Sequence, residues 1–326
     1  MPGDPLLRIE DLHTRFLTSR GDLHALTGVD LDLSKGDTLG IVGESGCGKS
    51  VLALSILGLV PSPGRIERGR IFFEGTDLLG LSQDGLRRIR GGRISMIFQE
   101  PVTSLNPVYT IGDQIAEVIR LHQGDQVKTR SMARSMAAHM LEKVGISNAR
   151  VRLKDYPHQL SGGMCQRVMI AMALACRPRL MIADEPTTAL DVTTQAQILS
   201  LMNGLKEQTG TSIILVTHDL GIVEGFCQNC AVMYAGTIVE SAGVEDFFAD
   251  PLHPYTRGLL RAVPDVASRG QRLYSIPGQV PSLWETPQGC SFFDRCEERM
   301  DICRKQRPPI VKKGNNHMVR CWRYAT

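Results

Sequence analysis

No stretch of this chain approaches the roughly 18 consecutive apolar residues of a membrane-spanning helix. Any link to a membrane must therefore come through protein partners. The opening residues, Met1-Pro2-Gly3-Asp4, lack the basic segment and apolar core of a secretory signal, so none is predicted. There is no long basic block, and the net charge is only +3. A nucleic-acid footprint is therefore not indicated. Nine cysteines are unevenly placed, which suits a reducing cytoplasm better than a disulfide framework. What remains is an ordinary globular composition, 42% hydrophobic, in 326 residues. That length allows one large domain plus an appendage.

The strongest positive signal is Gly43-Glu44-Ser45-Gly46-Cys47-Gly48-Lys49-Ser50. It follows a short apolar run, 38–42, that reads as a buried strand. It precedes Val51 to Val60, which reads as a buried helix. Strand, glycine-rich loop and helix are the setting this octapeptide requires. Its glycines let backbone N–H groups turn inward around phosphate oxygens. The helix begun near Lys49 adds its positive dipole end. Lys49 is expected to bridge the β and γ phosphates, and the Ser50 hydroxyl to ligate Mg²⁺. Cys47 reads as a small filler whose backbone matters.

Three more apolar runs end in chemistry-bearing residues. Leu180 to Ala183 lead into Asp184 and Glu185 at the C-terminal tip of a strand, the edge of a parallel sheet where ligands collect. Asp184 is expected to hold Mg²⁺ through water, and Glu185 to orient and deprotonate the attacking water. Ile213 to Thr217 end at His218, placed to hydrogen-bond the γ-phosphate and Glu185. Ile94 to Phe98 end at Gln99, which could touch both Mg²⁺ and that water. A further element, Leu160-Ser161-Gly162-Gly163-Met164, opens an apolar helix predicted to run to Cys176. Its first backbone N–H groups form an anion site.

The start of the chain, 6–32, alternates apolar and polar residues, as in an antiparallel sheet. A strand is read over 71–74, a surface segment from Leu78 to Leu81, and a hairpin around Ala235-Gly236. Between Ile111 and Gly145 the pattern is helical. One apolar stripe is Ile111, Ile115, Val118 and Ile119; another is Met132, Met136, Met140, Leu141 and Val144, read as core packing. Cys227 and Cys230 form an isolated C-x2-C at a helix end and a strand start, also read as core packing. Beyond Pro251, prolines including Pro264 and Pro287 punctuate the chain, so regular structure is expected to be sparse. This tail carries Cys290, Cys296, Cys303 and Cys321, spaced C-x5-C-x6-C-x17-C. Tight zinc knuckles are missing, and four cysteines are also the ligand set of a [4Fe–4S] cluster. Spacing alone leaves iron–sulfur, zinc, and free thiols or disulfides open.

Taken in order, these elements resemble an ABC-type ATPase subunit over about residues 6–250. The resemblance rests on Phe16, the octapeptide, Gln99, Leu160–Met164, Leu180–Glu185, Thr188-Ala189-Leu190-Asp191 and His218. It implies an α/β fold: a mixed-sheet phosphate-loop core with an antiparallel β subdomain and a helical subdomain at about 105–178. It makes Phe16 an adenine-stacking aromatic, although its distance from Gly43 implies a loop insertion near Thr18–Gly21. It implies that Leu160–Met164 faces the ATP held by an opposite subunit, with Asp191 at that interface linking the two sites. Gln99 and the following 100–107 would grip a membrane subunit.

The tail, with His253-Pro254-Tyr255-Thr256, Ile276-Pro277-Gly278 and Arg295-Cys296, looks like the C-terminal region of peptide-importer ATPases, closest to the dipeptide type. That makes 1–250 an ATPase domain and 251–326 a small irregular Cys-rich extension. It also makes the four cysteines ligands of a [4Fe–4S] cluster. The activity implied is ATP hydrolysis, with ATP and Mg²⁺, in a membrane importer of di- or oligopeptides. The partners implied are two permease subunits, a second and non-identical ATPase subunit, and an extracytoplasmic substrate-binding protein; no nucleic acid is implied. The location implied is peripheral, on the cytoplasmic face of a bacterial inner membrane. Importers of nickel, glutathione or antimicrobial peptides are alternatives. A soluble ABC ATPase acting on DNA or ribosomes is a distant one. No sustained heptads fill the interval between Ser50 and Ser161, and only one cassette is present. An exporter does not account for the proline- and cysteine-rich tail.

Overall fold

The computed structural model describes residues 4–188, 190–263, 274–284, 288–314 and 316–325. Ala189, Pro264 and Pro287 of the motifs above lie outside them. The chain forms two compact units, one from residues 1–80 with 215–326 and one from 81–214.

In the first unit, β1 (Leu7–Thr18) and β2 (Gly21–Leu33) form an antiparallel pair. They are joined by the tight turn Thr18↔Gly21. The insertion expected there is absent. The extra length is taken up inside the strands, whose register shifts three times between Ile9 and Arg15. β3 (Thr38–Val42) is buried throughout. It leads through the glycine-rich loop into α1 (Lys49–Ile56). That helix stops a turn short of Val60 because Gly58 adopts φ +60°, which ends the helical path. β4 (Gly64–Phe73) pairs with β1 and with β5 (Thr76–Asp77). The expected strand 71–74 is thus the last part of a longer one, whose exposed residues hide it from an apolar count. Leu78 is buried rather than on the surface.

The second unit contains α2 (Gln83–Ile89), β6 (Ile94–Ile97), α3 (Pro101–Ser104), α4 (Ile111–Gln123), α5 (Arg130–Lys143), α6 (Ala149–Arg152), α7 (Gly162–Leu174), β7 (Leu180–Asp184) and α8 (Val192–Thr209). β6 and β7 pair in parallel. Helices are capped by side chains at Thr110, Thr129, Ser161 and Asp191, which satisfies N–H groups that the first turn leaves unpaired. α4 buries Ile111, Ile115 and Ile119 as predicted. α5 does not bury its methionines. Its buried face is Ala133, Ala137, Ala138 and Leu141, while Met132 is 46% exposed. Small side chains let this helix pack closely, a signal that a search for large apolar residues overlooks.

β8 (Ser212–Val216), buried throughout, returns the chain to the first unit. There follow α9 (Leu220–Phe226), β9 (Asn229–Tyr234), β10 (Thr237–Gly243), α10 (Val244–Ala249), α11 (Pro254–Ala262), α12 (Asp301–Lys305), β11 (Val311–Lys313) and β12 (His317–Val319). β9 lies parallel to β3 and antiparallel to β10, forming the hairpin expected at Ala235-Gly236. Gly40 in β3 has no room for a Cβ, which would stand 2.8 Å from Val223 of α9. The tail is more regular than its prolines suggest. α11 begins with Pro254 at its first turn, where the missing N–H costs nothing. β12 pairs with β10 and β11 with β12, so the first unit's main sheet runs β11-β12-β10-β9-β3. Among the described residues, no helix is long and apolar enough to cross a membrane.

Candidate functional site: a phosphate loop, a carboxylate strand end and a glycine turn

The phosphate loop leaves the end of β3 at Gly43. A Cβ there would sit 2.2 Å from the Met233 carbonyl oxygen, and one at Gly48 would sit 2.6 Å from that of Ala25. Both glycines also have positive φ, 156° and 107°. Neither position tolerates a side chain, so the loop is threaded through a gap only glycine fits. The Gly236 N–H donates to the Cys47 carbonyl at 2.9 Å, which ties the loop to the β9–β10 hairpin.

Lys49 is buried within the loop, and its Nζ donates to the carbonyls of Gly43 at 2.7 Å and Glu44 at 3.1 Å. A buried ammonium needs such partners. The Cys47 thiol is fully buried, and burial pushes its pKa up despite Lys49 nearby, so it is not a reactive thiolate. The Thr217 N–H donates to Ile41 of β3 at 3.1 Å. This brings His218, which is exposed, out beside the strand from which the loop departs. Phe16 on β1 is half-buried, and a Cβ on Gly64 would meet its ring at 2.5 Å.

In the second unit, β7 ends at Asp184, 4% exposed. Glu185 follows with φ +46°, a conformation uncommon for any residue but glycine. The turn aims its carboxylate at two donors. Gln99 Nε2 donates to Glu185 Oε2 at 3.2 Å, and Thr188 Oγ1 donates to the same oxygen at 2.8 Å. Gln99 and Glu185 are therefore brought together. Thr188 is the added holder: its place three residues after Glu185 was visible, its function was not.

Leu160–Met164 begins α7, which extends to Leu174 rather than Cys176. The Ser161 hydroxyl accepts from the Met164 N–H at 3.3 Å. Ser161 and Gly162 are exposed, and Gly162 has open space where a Cβ would be. That leaves a flat, donor-rich helix start open to an outside anion. Asp191 caps α8 by accepting from the Thr194 N–H at 3.0 Å and the Thr194 hydroxyl at 2.6 Å. The hydroxyl bond first, then the N–H, lowers its pKa.

The tail cysteines are brought into one neighbourhood. The Cys290 N–H donates to the Cys303 carbonyl at 2.7 Å. The Cys290 thiol is pushed up to about 12, first by burial and then by the nearness of Cys303, Cys321 and Cys296. All four are free thiols. The Cys296 and Cys321 thiols are likewise pushed up, first by burial, with neighbouring cysteines adding to it. Yet among the described residues no three His, Cys, Asp or Glu side chains stand close enough to ligate a single metal ion. Cys227 and Cys230 are both buried, 8% and 0% exposed, as core residues are.

The family model described as "ABC transporter" matches residues 26–188, and that described as "Oligopeptide/dipeptide transporter, C-terminal region" matches 239–303. The chain is 52% identical over 323 residues to the "Probable peptide ABC transporter ATP-binding protein y4tR" of Sinorhizobium fredii, covering 98% of this chain and 96% of that one. It is 49% identical over 320 residues to the "Oligopeptide transport ATP-binding protein AppD" of Bacillus subtilis, covering 98% and 97%. Among solved structures it resembles a dimeric ATP-binding cassette in a post-hydrolysis state with ADP and Pi. That match has TM-score 0.65 and 27% identity, and covers 73% of this chain and 98% of that one.

Proposed function

We propose a function from one premise: the chain belongs to the ABC transporter family, so its cassette binds and hydrolyses ATP. We infer that it drives a membrane importer of di- or oligopeptides. The observation that carries this reading is the joint match of cassette and peptide-transporter tail on one chain. In this reading the chain works with two permease subunits, an extracytoplasmic binding protein and a second, non-identical ATPase subunit. It lies peripherally on the cytoplasmic face of the inner membrane.

The residue roles follow the chemistry of each group. Lys49, already buried in the loop, trades its carbonyl partners for β and γ phosphate oxygens. Ser50 and Asp184 are oxygen donors of the kind Mg²⁺ selects, and the ion supplies charge neutralisation at the phosphates. Glu185 takes the proton of the attacking water, and Gln99 positions that water and the carboxylate. His218 donates to the γ-phosphate. Phe16 stacks on adenine. Ser161 and its following glycines close on the nucleotide of the partner subunit, and Asp191 links the two sites. Residues 1–250 form the ATPase domain, with the helical part at about 105–178, and 251–326 the Cys-rich extension.

The four tail thiols are assigned to a [4Fe–4S] cluster. What supports this reading is the presence of four free thiols near one another, the number of cysteines such a cluster uses. Two of these cysteines are buried and two partly so, and a cluster's irons would supply the positive charge that four thiolates together require.

Affinity capture of the tagged chain, co-expressed with the permease genes encoded beside it, tests the importer reading. Recovery of stoichiometric permease supports it. A chain that never associates with a membrane permease overturns it.

A further inference from the structure

We propose that Arg295 is a positioning residue of the ATP site, holding the first turn of the phosphate loop through Glu44. Arg295 lies in the tail, in the short turn between Cys290 and Cys296. Its guanidinium meets the Glu44 carboxylate with both terminal nitrogens, Nη1 to Oε2 at 2.6 Å and Nη2 to Oε1 at 3.0 Å. This is the parallel two-bond geometry that fixes both groups. The Arg295 side chain is 4% exposed and that of Glu44 30%, so the pair is largely shielded from solvent screening.

Arg295 is itself fixed. Its Nε donates to the Pro277 carbonyl at 3.0 Å, and its Cζ lies 5.8 Å from the Tyr234 ring centre and 5.9 Å from that of Phe292. Glu44 is held a second time through its main chain: its N–H donates to the Tyr255 hydroxyl at 3.0 Å. Tyr255 is fully buried and belongs to α11, also in the tail. Tyr234, Tyr255 and Phe292 pack together with ring centres 4.5–5.4 Å apart.

Two independent tail contacts thus converge on the second residue of the octapeptide. The side chain of Glu44 points back into the tail, and its N–H is taken by Tyr255. Glu44 therefore serves as the anchor of the loop, while the N–H groups that follow it meet phosphate. A loop ordered before ligand arrives gives up less conformational entropy on binding. Arg295 and Tyr255 supply that order. The tail therefore acts on ATP affinity, and anything that loosens it weakens nucleotide binding. The inference rests on the phosphate loop being the ATP site.

The test measures ATP affinity of the full chain by competition against a fluorescent trinitrophenyl-ATP, with ATPase kinetics alongside. Arg295→Gln and Glu44→Gln are each expected to weaken ATP binding about tenfold, the scale of one lost charge-assisted contact. The double variant should be no weaker than either single. Arg295→Lys should recover part of the loss. For Arg295→Gln, KM for ATP should rise while kcat at saturating ATP stays near wild type. A residue that only supports the fold would lower the melting temperature without this KM-only signature. Should Arg295→Gln fail to fold, Glu44→Gln and Tyr255→Phe decide. Unchanged affinity in those two variants, or additive losses in the Arg295/Glu44 pair, overturns the inference. Lys49→Ala is the control. If it too leaves affinity unchanged, the ATP-site assignment has failed; if it alone weakens binding, only the role of Arg295 has.

Discussion

The Gln99 amide donates to the Glu185 carboxylate across 3.2 Å, to the same oxygen that accepts from Thr188. Two donors on one oxygen fix the carboxylate's direction. A base held this way is ready to take a proton from water once that water is placed. Glu185→Gln keeps the shape and removes the basicity. Turnover is expected to fall by about 10²–10⁴-fold, with ATP still bound and the nucleotide-closed dimer accumulating in sedimentation runs. Rapid hydrolysis by this variant would remove Glu185 from the role of base.

Gln99 and Thr188 should act through Glu185 rather than on nucleotide affinity. Thr188→Val removes one donor of that carboxylate and leaves the loop untouched. Its kcat should fall while ATP affinity stays within about twofold, since the donor is worth roughly 1–3 kcal/mol to a charged acceptor. Steady-state kinetics with a binding titration separate the two. A loss of affinity at full kcat would contradict the assignment.

Lys49→Ala should strike affinity first. The ammonium now rests on two loop carbonyls, so its removal also takes a donor from each, although the Glu44 carbonyl still accepts from the Cys47 N–H. Losing a charged donor costs about 1.5–3 kcal/mol, tenfold or more in ATP dissociation constant. Isothermal titration with ATP is the check, and an unchanged constant would contradict the phosphate-loop assignment.

Acid should loosen the tail from the main sheet. Glu240 of β10 is 1% exposed and accepts from the N–H groups of Leu252 at 2.7 Å and His253 at 2.8 Å. It also meets His317 of β12 at 2.7 Å. Burial alone would raise its pKa, but the His317 bond and these N–H groups bring the net shift below the usual value. His253 is 1% exposed, and burial lowers its pKa to about 4. Both shifts have one sign. The unfolded chain takes up protons that the folded chain refuses, so stability falls as pH drops. His253 acts between its unfolded value of 6.5 and about 4, and Glu240 below 4.5. At pH 5 the His253 share is about 2 kcal/mol. Melting temperatures from pH 7.5 to 5 should fall, and His253→Gln should flatten that slope. An equal slope in the variant would contradict the linkage.

Cys296→Ser should lower the iron and sulfide content of anaerobically purified protein without abolishing ATP hydrolysis. About four irons per chain with matching sulfide and a broad visible absorbance are expected for the wild type. Unchanged metal content would exclude Cys296 as a ligand.

Much of the proposed ATP site could be read from the sequence because its parts are local. Gly43–Ser50 is contiguous, and the strands ending at Asp184, Gln99 and His218 each announce themselves as an apolar run broken by one polar residue. The Ser161 turn was readable for the same reason, a cap and two glycines before an apolar helix. What stayed hidden is non-local or small. Arg295 and Glu44 are 251 residues apart, and nothing in either neighbourhood names the other. The packed face of α5 is mostly alanine, while its more conspicuous methionines are exposed or only half-buried. The tail's prolines were read as a break in structure, whereas Pro254 starts a helix and β12 extends the sheet. A proline marks a missing donor, and at a helix start that absence is harmless.

The most direct measurement is ATP hydrolysis by the assembled transporter in proteoliposomes, with and without a peptide-loaded binding protein outside. Peptide should stimulate hydrolysis and drive peptide into the lumen, and Glu185→Gln in this subunit should abolish or sharply reduce both. A fully assembled complex whose hydrolysis ignores peptide, and which carries none across, would contradict the peptide-importer reading.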